Sequence, residues 1–554
     1  MEKIDYEFVS KAYDKGIQFN QGINLYENVQ TNENFFIGKQ WEGVKSNGLP
    51  TPVFNFLKRV VLFSVANIST DNIKLNAKAM PGMGDMDMKA LDTLCDILND
   101  QFASVFERNM MGSLIREFCR NAAVDGDGCM YTYWDDSVET GQQSKGAIKT
   151  EVLQNTQVLF GNPNSRDVQS QPNIIIERRM IVDECKKYAQ KHGAGADAVD
   201  AITPDDKESG NSEMDRLGGE KVTVRLYMWK NEETGTVWCY ESTRTATVRK
   251  AWDLGIKLYP LVWMNWDYVQ DCYHGQAMIT GLIPNQVFVN KLFAMSMISL
   301  MTLAYPKIVY DRTKIDKWSS KVGAAIGVNG GVDGVAKIID PASISPQISQ
   351  FIDVAISYTQ KFLGASDVAL GDTRPDNTSA IIALQRAAAT PMELTKQNLL
   401  DCIVQQGNID KEFMREYNGV RYVEVPVPDT DESVMVQFDF SILENVPLSI
   451  DLDAGASSYW SEIANMQTLD NLLMQNKIPT SEYLRRLPKG QITDRESLIA
   501  LTRAAERGEM AQMMPSGAVE EMPGGEEEVP LRGGPGYGAL QRAINKTGEV
   551  PKEG

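Results

Sequence analysis

The amino-acid sequence predicts an α+β protein in which helix-rich and strand-rich regions follow one another along the chain. The first 125 residues or so carry helical periodicity, whereas residues 128–266 contain short segments rich in β-branched and aromatic residues. From residue 275 onward, long helical patterns return around a small glycine-rich module. The chain has 554 residues, 43% of them hydrophobic and 23% charged, so it is long enough for several domains and can bury a core.

Two stretches of the N-terminal region are predicted to be helical. An apolar run extends from Phe54 to Ile68, and the segment from Leu91 to Arg120 places apolar residues at helical spacing. The turn-rich residues 43–52 precede the first stretch, and Met80-Pro-Gly separates it from the second. We therefore expect a break near residue 80 and helical structure again over residues 91–120.

Seven segments of the middle region are predicted to be strands because β-branched and aromatic residues dominate them. They cover residues 128–134, 148–152, 157–160, 174–178, 222–229, 236–241 and 258–266. Their short length and the Gly, Asn and Pro residues between them favour antiparallel pairing. Residues 193–219 have the composition of a loop, and we expect them to form an exposed insertion.

The region that begins at Gly275 has the pattern helix, small module, helix. The sequence predicts a first helix over 275–303 and a second over 347–363. Between them, short strands at 307–310 and 337–339 flank the glycine-rich residues 323–334.

A third helix is predicted from Ser379 to Tyr417, and it contains an internal start signal. Thr390 stands at an N-cap position and Pro391 at the first helical position. Because proline lacks an N–H group, either a new helix begins there or a long helix kinks. Further strands and helices are predicted at 420–427, 434–452, 460–473, 481–487 and from 493 onward, and the Gly-, Pro- and Glu-rich tail after residue 508 is predicted to be disordered.

The most apolar run of the chain extends from Leu292 to Ala304. Its 13 residues fall short of the ~20 that a membrane-spanning helix needs. A helix that is apolar on every side and too short for a bilayer is expected to be buried in protein. Two kinds of cover are possible at this point, namely neighbouring copies in an oligomer or the core of a monomer.

The charge balance limits the ways in which this chain could bind DNA. There are 55 basic and 74 acidic residues, which give a net charge of −19. Proteins that grip DNA phosphates tightly are normally basic, so tight binding over the whole surface is not expected. An acidic surface suits a protein past which DNA must slide, although solubility alone explains it as well.

Cysteine usage and the N-terminus predict the compartment. The seven cysteines are scattered and form no Cys-x-x-Cys pair, which favours a reducing compartment and argues against a disulfide framework. The first residues lack the basic and then apolar pattern of a signal peptide.

The sequence offers no convincing catalytic or metal-binding motif. The glycines of 323–334 run into Val335-Ala-Lys and not into Gly-Lys-Ser/Thr, so a flexible loop is favoured over a phosphate-binding loop. Asp125-Gly-Asp-Gly lacks the glutamate that completes a calcium loop, and a turn is the better interpretation. His192 and His274 are the only histidines. We therefore predict that the chain is not an enzyme and needs no metal or cofactor.

Four stretches occur in a fixed order around the helix–module–helix region. They are Phe36-Ile-Gly-Lys-Gln-Trp41 with Pro52-Val-Phe-Asn55; Asp125-Gly-Asp-Gly128 with Val158-Leu-Phe160 and Pro163; Asn285-Gln-Val-Phe-Val-Asn290 with Ala304-Tyr-Pro-Lys-Ile308; and Gly364-Ala-Ser-Asp-Val-Ala-Leu-Gly371 with Thr378-Ser-Ala-Ile381 and Leu384-Gln-Arg386. In this order they resemble the portal proteins of tailed bacteriophages, over about residues 30–510. No single stretch is decisive, and their order carries the resemblance.

The resemblance implies a portal-like fold whose parts assemble as a ring, usually a dodecamer. Its mixed α/β wing would combine residues 1–274 with return strands at 418–455. The remaining parts would be stem helices at 275–304 and 346–364, a clip at 305–345, a tunnel loop at 365–378, a kinked tunnel helix at 379–417, a helical crown at 456–510 and a disordered tail at 511–554.

The resemblance also assigns roles to individual residues. The tunnel loop would line the channel with Asp367, Asp372, Arg374 and Asp376, and the tunnel helix would kink at Thr390 and Pro391. The clip would dock the motor and later the tail connector through Lys307, Arg312, Lys314, Lys317 and Lys321, although these lysines could equally be exposed without a role. Packing of the stem would involve Leu292, Phe293, Met297, Leu300 and Met301.

These roles imply a set of partners and a location. The partners would be further copies of the chain, double-stranded DNA passing through the channel, the terminase large subunit, head–tail connector or adaptor proteins, and the major capsid and scaffolding proteins, with no membrane. The location would be the portal vertex of the virion, and the host cytoplasm during assembly. Two alternatives remain open: another virion assembly protein, such as a minor head or connector component, and an enzyme of an unrecognised family.

Overall fold

The computed structural model describes residues 4–502 except 47, 70–72, 81–87, 143, 211–214, 216–217, 305–306, 320, 322, 340–346, 363–391, 427–432, 445, 447, 455–458, 476, 488–497 and 500. Helices and strands both contribute, and the strands pair in antiparallel sheets, so the predicted α+β class is confirmed. The chain divides into two compact units, residues 1–461 and 462–554.

The helices concentrate at the two ends of the first unit and in the second unit. They are α1 (Tyr6–Gly22), α2 (Leu25–Ile37), α3 (Phe56–Ser69), α4 (Met88–Arg108), α5 (Met111–Asp125), α6 (Val182–Lys191), α7 (Ala196–Asp200), α8 (Ile283–Ala304), α9 (Gln347–Phe362), α10 (Glu393–Tyr417), α11 (Tyr459–Met474) and α12 (Thr480–Arg486).

The described strands form one five-stranded sheet, one three-stranded sheet and three two-stranded sheets. They are β1 (Ile73–Ala79), β2 (Asp127–Asp135), β3 (Ala147–Leu153), β4 (Val158–Phe160), β5 (Asn173–Ile181), β6 (Lys221–Lys230), β7 (Val237–Ser242), β8 (Thr247–Asp253), β9 (Leu261–Asn265), β10 (Ile308–Tyr310), β11 (Ala336–Ile338), β12 (Val420–Pro426), β13 (Ser433–Asp439) and β14 (Leu448–Ala454). The sheet orders are β4-β5-β6-β7-β8, β3-β2-β9, β1-β14, β10-β11 and β12-β13.

The main core lies around the three-stranded sheet. Helix α5 packs on β2, and the long helix α10 packs on β9 and β14. Strand β2 is buried along most of its length, and Cys129 and Met130 have no exposed surface. The pairing of β1 with β14 joins Ile73 to Ala454, so the strands after α10 return to the N-terminal part of the chain.

All seven predicted strands of the middle region are present, but two elements differ from the prediction. Strand β8, with Arg249 and Lys250 at its centre, was not predicted because it lacks an apolar alternation. Residues 193–219 are more than a loop, since α7 lies within them and Val199 and Ile202 are buried.

The helical pattern predicted over 91–120 is divided in the structure into two helices, α4 and α5. Met110 adopts a left-handed backbone conformation with φ of 50°. The side chain of Asn109 fixes this break: its Nδ2 donates to the carbonyl oxygen of Ile148 at 3.0 Å, and its Oδ1 accepts from the N–H of Thr150 at 3.2 Å. These long-range bonds to β3 have no signature in the local periodicity.

The helix predicted from residue 275 begins later, at Ile283. The backbone N–H of Gly275 donates to Asp127 Oδ1 at 2.7 Å, and Gln276 pairs with Asp267 in an isolated β-bridge. These bonds hold residues 275 and 276 outside the helix. A short 3-10 turn at Thr280–Leu282 then leads into α8.

Two glycines allow α5 and β2 to approach their neighbours closely. A Cβ atom on Gly128 would lie 2.7 Å from the carbonyl oxygen of Phe118 and 2.9 Å from its ring. Gly126 has φ of 103°, which L side chains rarely adopt, and its Cβ would lie 2.8 Å from the carbonyl oxygen of Gly275. The predicted turn at Asp125-Gly-Asp-Gly is therefore a closely packed connection between α5 and β2.

We expect Gly128→Ala to lower the free energy of unfolding by about 1–3 kcal/mol, because the new methyl group overpacks a rigid site. The control is Gly112→Ala in α5, whose added Cβ would meet nothing within 4 Å and should be neutral or stabilising by up to about 1 kcal/mol. Chemical denaturation followed by circular dichroism measures both. Equal stability of Gly128→Ala and the unchanged protein would contradict the close packing.

Candidate functional site

The apolar helices α8 and α9 pack against each other on one side only. Val289 and Leu292 of α8 and Ile352 of α9 form a small buried cluster, with Ala355 and Ile356 packed beside it. Lys291 is the single charged residue between Ile283 and Ala304. The remaining sides of α8 therefore carry little charge.

Two further sides of α8 carry exposed apolar residues, and on one of them Lys291 and Thr302 are exposed as well. Met297 and Met301, four residues apart, share one side and are 40% and 54% exposed. Phe288 and Met295, seven residues apart, share another side and are 48% and 52% exposed. Residues two positions apart on a helix, such as Met295 and Met297, point about 200° away from each other. The exposed apolar residues thus lie on nearly opposite sides of α8.

Helix α9 repeats this division. Its inner face contributes Ile352 to the contact with α8, whereas Phe351 and Val354 on its other side are 55% and 48% exposed. Large apolar residues exposed in a contiguous patch mark an interaction surface in most proteins. The α8–α9 pair is therefore the candidate functional site of this chain.

The five residues predicted to pack in the stem divide into two groups. Leu292 is buried against α9, and Phe293 stacks on Phe54 with ring centroids 3.8 Å apart. Met297, Leu300 and Met301 are exposed in the single chain. Phe288, Met295, Phe351 and Val354 were not among the predicted residues. The signal that would have found them is the scarcity of charge in these helices, which contain Lys291 in α8 and Asp353 and Lys361 in α9.

A buried amide cluster seats the N-terminal half of α8. Gln286 Nε2 donates to the carbonyl oxygen of Phe54 at 2.7 Å and to Asn290 Oδ1 at 2.9 Å. Asn290 Nδ2 in turn donates to Gln40 Oε1 at 2.6 Å. All three amide side chains are buried, so their hydrogen bonds replace those that water would provide. The stretches 36–55 and 285–290, singled out in the sequence, meet in this cluster.

A second buried cluster, around Asp127, fixes the chain just before α8. Its Oδ1 accepts hydrogen bonds from Asn265 Nδ2 and from the N–H of Gly275, both at 2.7 Å. Its Oδ2 lies 2.7 Å from His274 Nδ1, and His274 Nε2 lies 3.1 Å from Asn20 Oδ1. Both ring nitrogens are thus engaged with structural partners, and the cluster ties α1, β2 and β9 to the start of α8.

The module between α8 and α9 carries the basic residues predicted for docking. The pair β10–β11 forms its sheet, and Tyr310 stacks on Trp318 with centroids 5.4 Å apart. Of the five predicted basic residues, Lys307, Arg312, Lys317 and Lys321 are exposed and Lys314 is half-buried. Within the described part of the chain, none of the five forms an ion pair with a carboxylate.

The predicted channel-lining residues Asp367, Asp372, Arg374 and Asp376 lie outside the described residues, as do Thr390 and Pro391 of the predicted kink. The described part of the third helix is α10.

Helix α10 is anchored through a buried polar pair, Gln406 and Asp410. Gln406 Nε2 donates to Thr132 Oγ1 at 2.8 Å and to Asp410 Oδ1 at 2.9 Å.

Other chemistry is sparse where the structure describes the chain. No group of three or more His, Cys, Asp or Glu side chains that could hold a metal ion is present among the described residues. A cavity of about 790 Å³ lies between α1 and strands β4 and β5, with Phe8 and Phe160 among its lining residues and Lys11 and Lys15 on α1 beside it. The seven cysteines are all free, and Cys272 is the one with partial exposure.

Comparison with known proteins adds no identification. No protein-family model matches the chain, and a search of curated proteins also found no match. Among the helices of the described residues, none is long and apolar enough to cross a membrane.

We expect Asn290→Ala to destabilise the protein by about 1–3 kcal/mol, because Gln286 Nε2 loses a buried acceptor and Gln40 Oε1 loses a buried donor. The control is Asn28→Ala, an exposed position on α2, which should change stability little. Chemical denaturation of both variants provides the comparison, and an Asn290→Ala variant as stable as the control would show that the amide cluster contributes nothing.

Asp410 makes stability depend on pH. Burial raises the pKa of the Asp410 carboxyl to about 7, against an ordinary value near 3.8. Between these two values the unfolded chain has lost the proton that the folded chain keeps, so stability falls as pH rises from about 4 to 7. We expect Asp410→Asn, which keeps the acceptor for Gln406, to abolish this loss.

The measurement is the free energy of unfolding at pH 4.5 and pH 8. The free energy of unfolding of Asp410→Asn minus that of the unchanged protein should increase by on the order of 3 kcal/mol from pH 4.5 to pH 8. The control is Asp401→Asn, an exposed position on the same helix. An identical pH dependence of Asp410→Asn and the unchanged protein would rule out a neutral Asp410 carboxyl in the fold.

Proposed function

We propose that this chain is the subunit of a phage portal, a ring-shaped channel at one capsid vertex through which double-stranded DNA is packaged and later ejected. The observation that supports it is the exposure of apolar residues on nearly opposite sides of α8, including Met295 and Met297. A two-fold dimer needs one self-complementary patch. Two different patches on opposite sides suit head-to-tail contacts, which close into a ring.

The proposal assigns a part of such a portal to each region of the chain. In this proposal α8 and α9 are the stem, and residues 305–345 between them are the clip. The Asp127 and Gln286–Asn290 clusters hold the stem on the wing, since they join α8 to α1, β2, β9 and the segment that leads into α3. The region of residues 365–391 would provide the tunnel loop and the start of the tunnel helix.

The net charge of the chain fits a channel through which DNA passes better than a protein that binds DNA tightly. The net charge of −19 disfavours tight phosphate binding, so DNA would pass with little adhesion. The exposed basic residues of the clip, such as Lys307, Arg312 and Lys317, would dock acidic surfaces of the terminase and later of connector proteins. In this role the chain is not an enzyme, and a separate terminase motor provides the force.

Electron microscopy of the purified full-length chain tests the proposal. We expect annular particles with a central channel for the unchanged protein. We expect Leu300→Glu to abolish them, because a carboxylate buried without a partner in each subunit contact is strongly unfavourable. The mass of the particles in solution, measured by light scattering, checks the images.

The matched control is Met110→Glu, which adds the same charge at a position 72% exposed between α4 and α5. It should form rings like the unchanged protein. Circular dichroism shows whether each variant keeps its fold. The proposal would be overturned if the unchanged protein stayed a single compact particle. It would also be overturned if a folded Leu300→Glu variant formed normal rings. Assemblies without a central channel would favour another virion component.

A further inference from the structure

Three methionines give the exposed sides of α8 a chemistry that leucine would lack. Met295, Met297 and Met301 are 52%, 40% and 54% exposed in the single chain. A thioether is flexible and apolar, which suits packing against an adaptable neighbour. It is also oxidised to a sulfoxide, which is polar and accepts hydrogen bonds strongly.

We propose that oxidation of Met295, Met297 and Met301 is a reversible block on association of the subunits. This inference rests on the proposed ring. In the reaction a hydroperoxide transfers one oxygen atom to the sulfur: its O–O bond breaks, an S–O bond forms, and water or an alcohol leaves. The sulfur is oxidised and the peroxide is reduced. Methionine sulfoxide reductases reverse the change, so a blocked subunit regains its apolar surface.

The positions of the three methionines place the modification on both contact sides of a subunit. Met297 and Met301 lie beside Leu300 on one side of α8, and Met295 lies with Phe288 on the other. On the Met295 side, Lys291 and Thr302 are also exposed. On the side of Met297 and Met301 the exposed neighbour is Leu300, which is apolar and offers no hydrogen-bond donor to a sulfoxide oxygen. Closing the contact would therefore bury a polar group without a partner.

The remaining methionines provide internal references. Met130, Met228 and Met414 have no exposed surface, so peroxide reaches them slowly in any state of the folded chain. Met110 is 72% exposed and lies outside α8, so we expect it to react at the same rate whether or not subunits are associated. The three α8 methionines should differ from both groups, because they are accessible only in the free subunit.

The experiment exposes the full-length chain to hydrogen peroxide, once as free subunits at low concentration and once as assembled rings. Peptide mass spectrometry then follows the gain of one oxygen at each methionine. We expect Met295, Met297 and Met301 to react several-fold faster in free subunits than in rings, with Met110 unchanged. Oxidised subunits should lose most of their ability to form rings, and reductase treatment should restore it.

The control is the triple variant Met295→Leu/Met297→Leu/Met301→Leu, which conserves volume and apolarity. It should form rings before and after peroxide treatment. If it is as sensitive to peroxide as the unchanged protein, the block lies at another residue, such as Cys272, and the inference is wrong. If oxidised unchanged subunits still form rings, the inference also fails while the portal proposal stands. If untreated protein forms no rings at all, it is the portal proposal that fails.

Discussion

The apolar surface of the α8–α9 pair exceeds what its own chain covers, and the proposed role of the protein depends on this constraint. One side of α8 is used within the chain, where Val289 and Leu292 meet Ile352. The sides that contain Met295 and Met301 face outward. At the same time the N-terminal half of α8 is held firmly by buried hydrogen bonds. A helix that is rigidly seated and apolar on its free sides is well prepared to contact rigid neighbours, because little conformational entropy remains to be lost on association.

Much of the fold was predictable because it depends on local pattern. The strands of the middle region, the helices around the basic module and the α+β class follow from residue type and spacing. The break at Met110 was not predictable, since it depends on hydrogen bonds from Asn109 to a strand about 40 residues later in the chain. Strand β8 was missed because Arg249 and Lys250 hide its pattern, although the guanidinium of Arg249 lies 3.7 Å from the ring centroid of Trp252.

The candidate site was predictable only in part, because part of it depends on local pattern and part on long-range contacts. The scarcity of charge identifies α8 as a helix that must be covered, since Lys291 is its single charged residue, but composition does not say which side the chain covers itself. That depends on where α9 lies, and on the seat provided by Gln286 and Asn290. Two of the stretches singled out in the sequence meet in one amide cluster although they are more than 200 residues apart, and no local pattern predicts that contact.

The five-stranded sheet carries a second, smaller core on the side of α6 and α7, separate from the main one. Cys185, Val199 and Val248 belong to it. Arg179, which bonds Asp205 and lies 2.5 Å from Asp215, ties the segment that follows α7 to the same sheet. This small core shares no buried residue with the hydrophobic clusters that contain α8. Substitutions inside it are therefore expected to leave the seat of α8 in place as long as Ser209, which bonds Glu177 beside Tyr13 of α1, is kept.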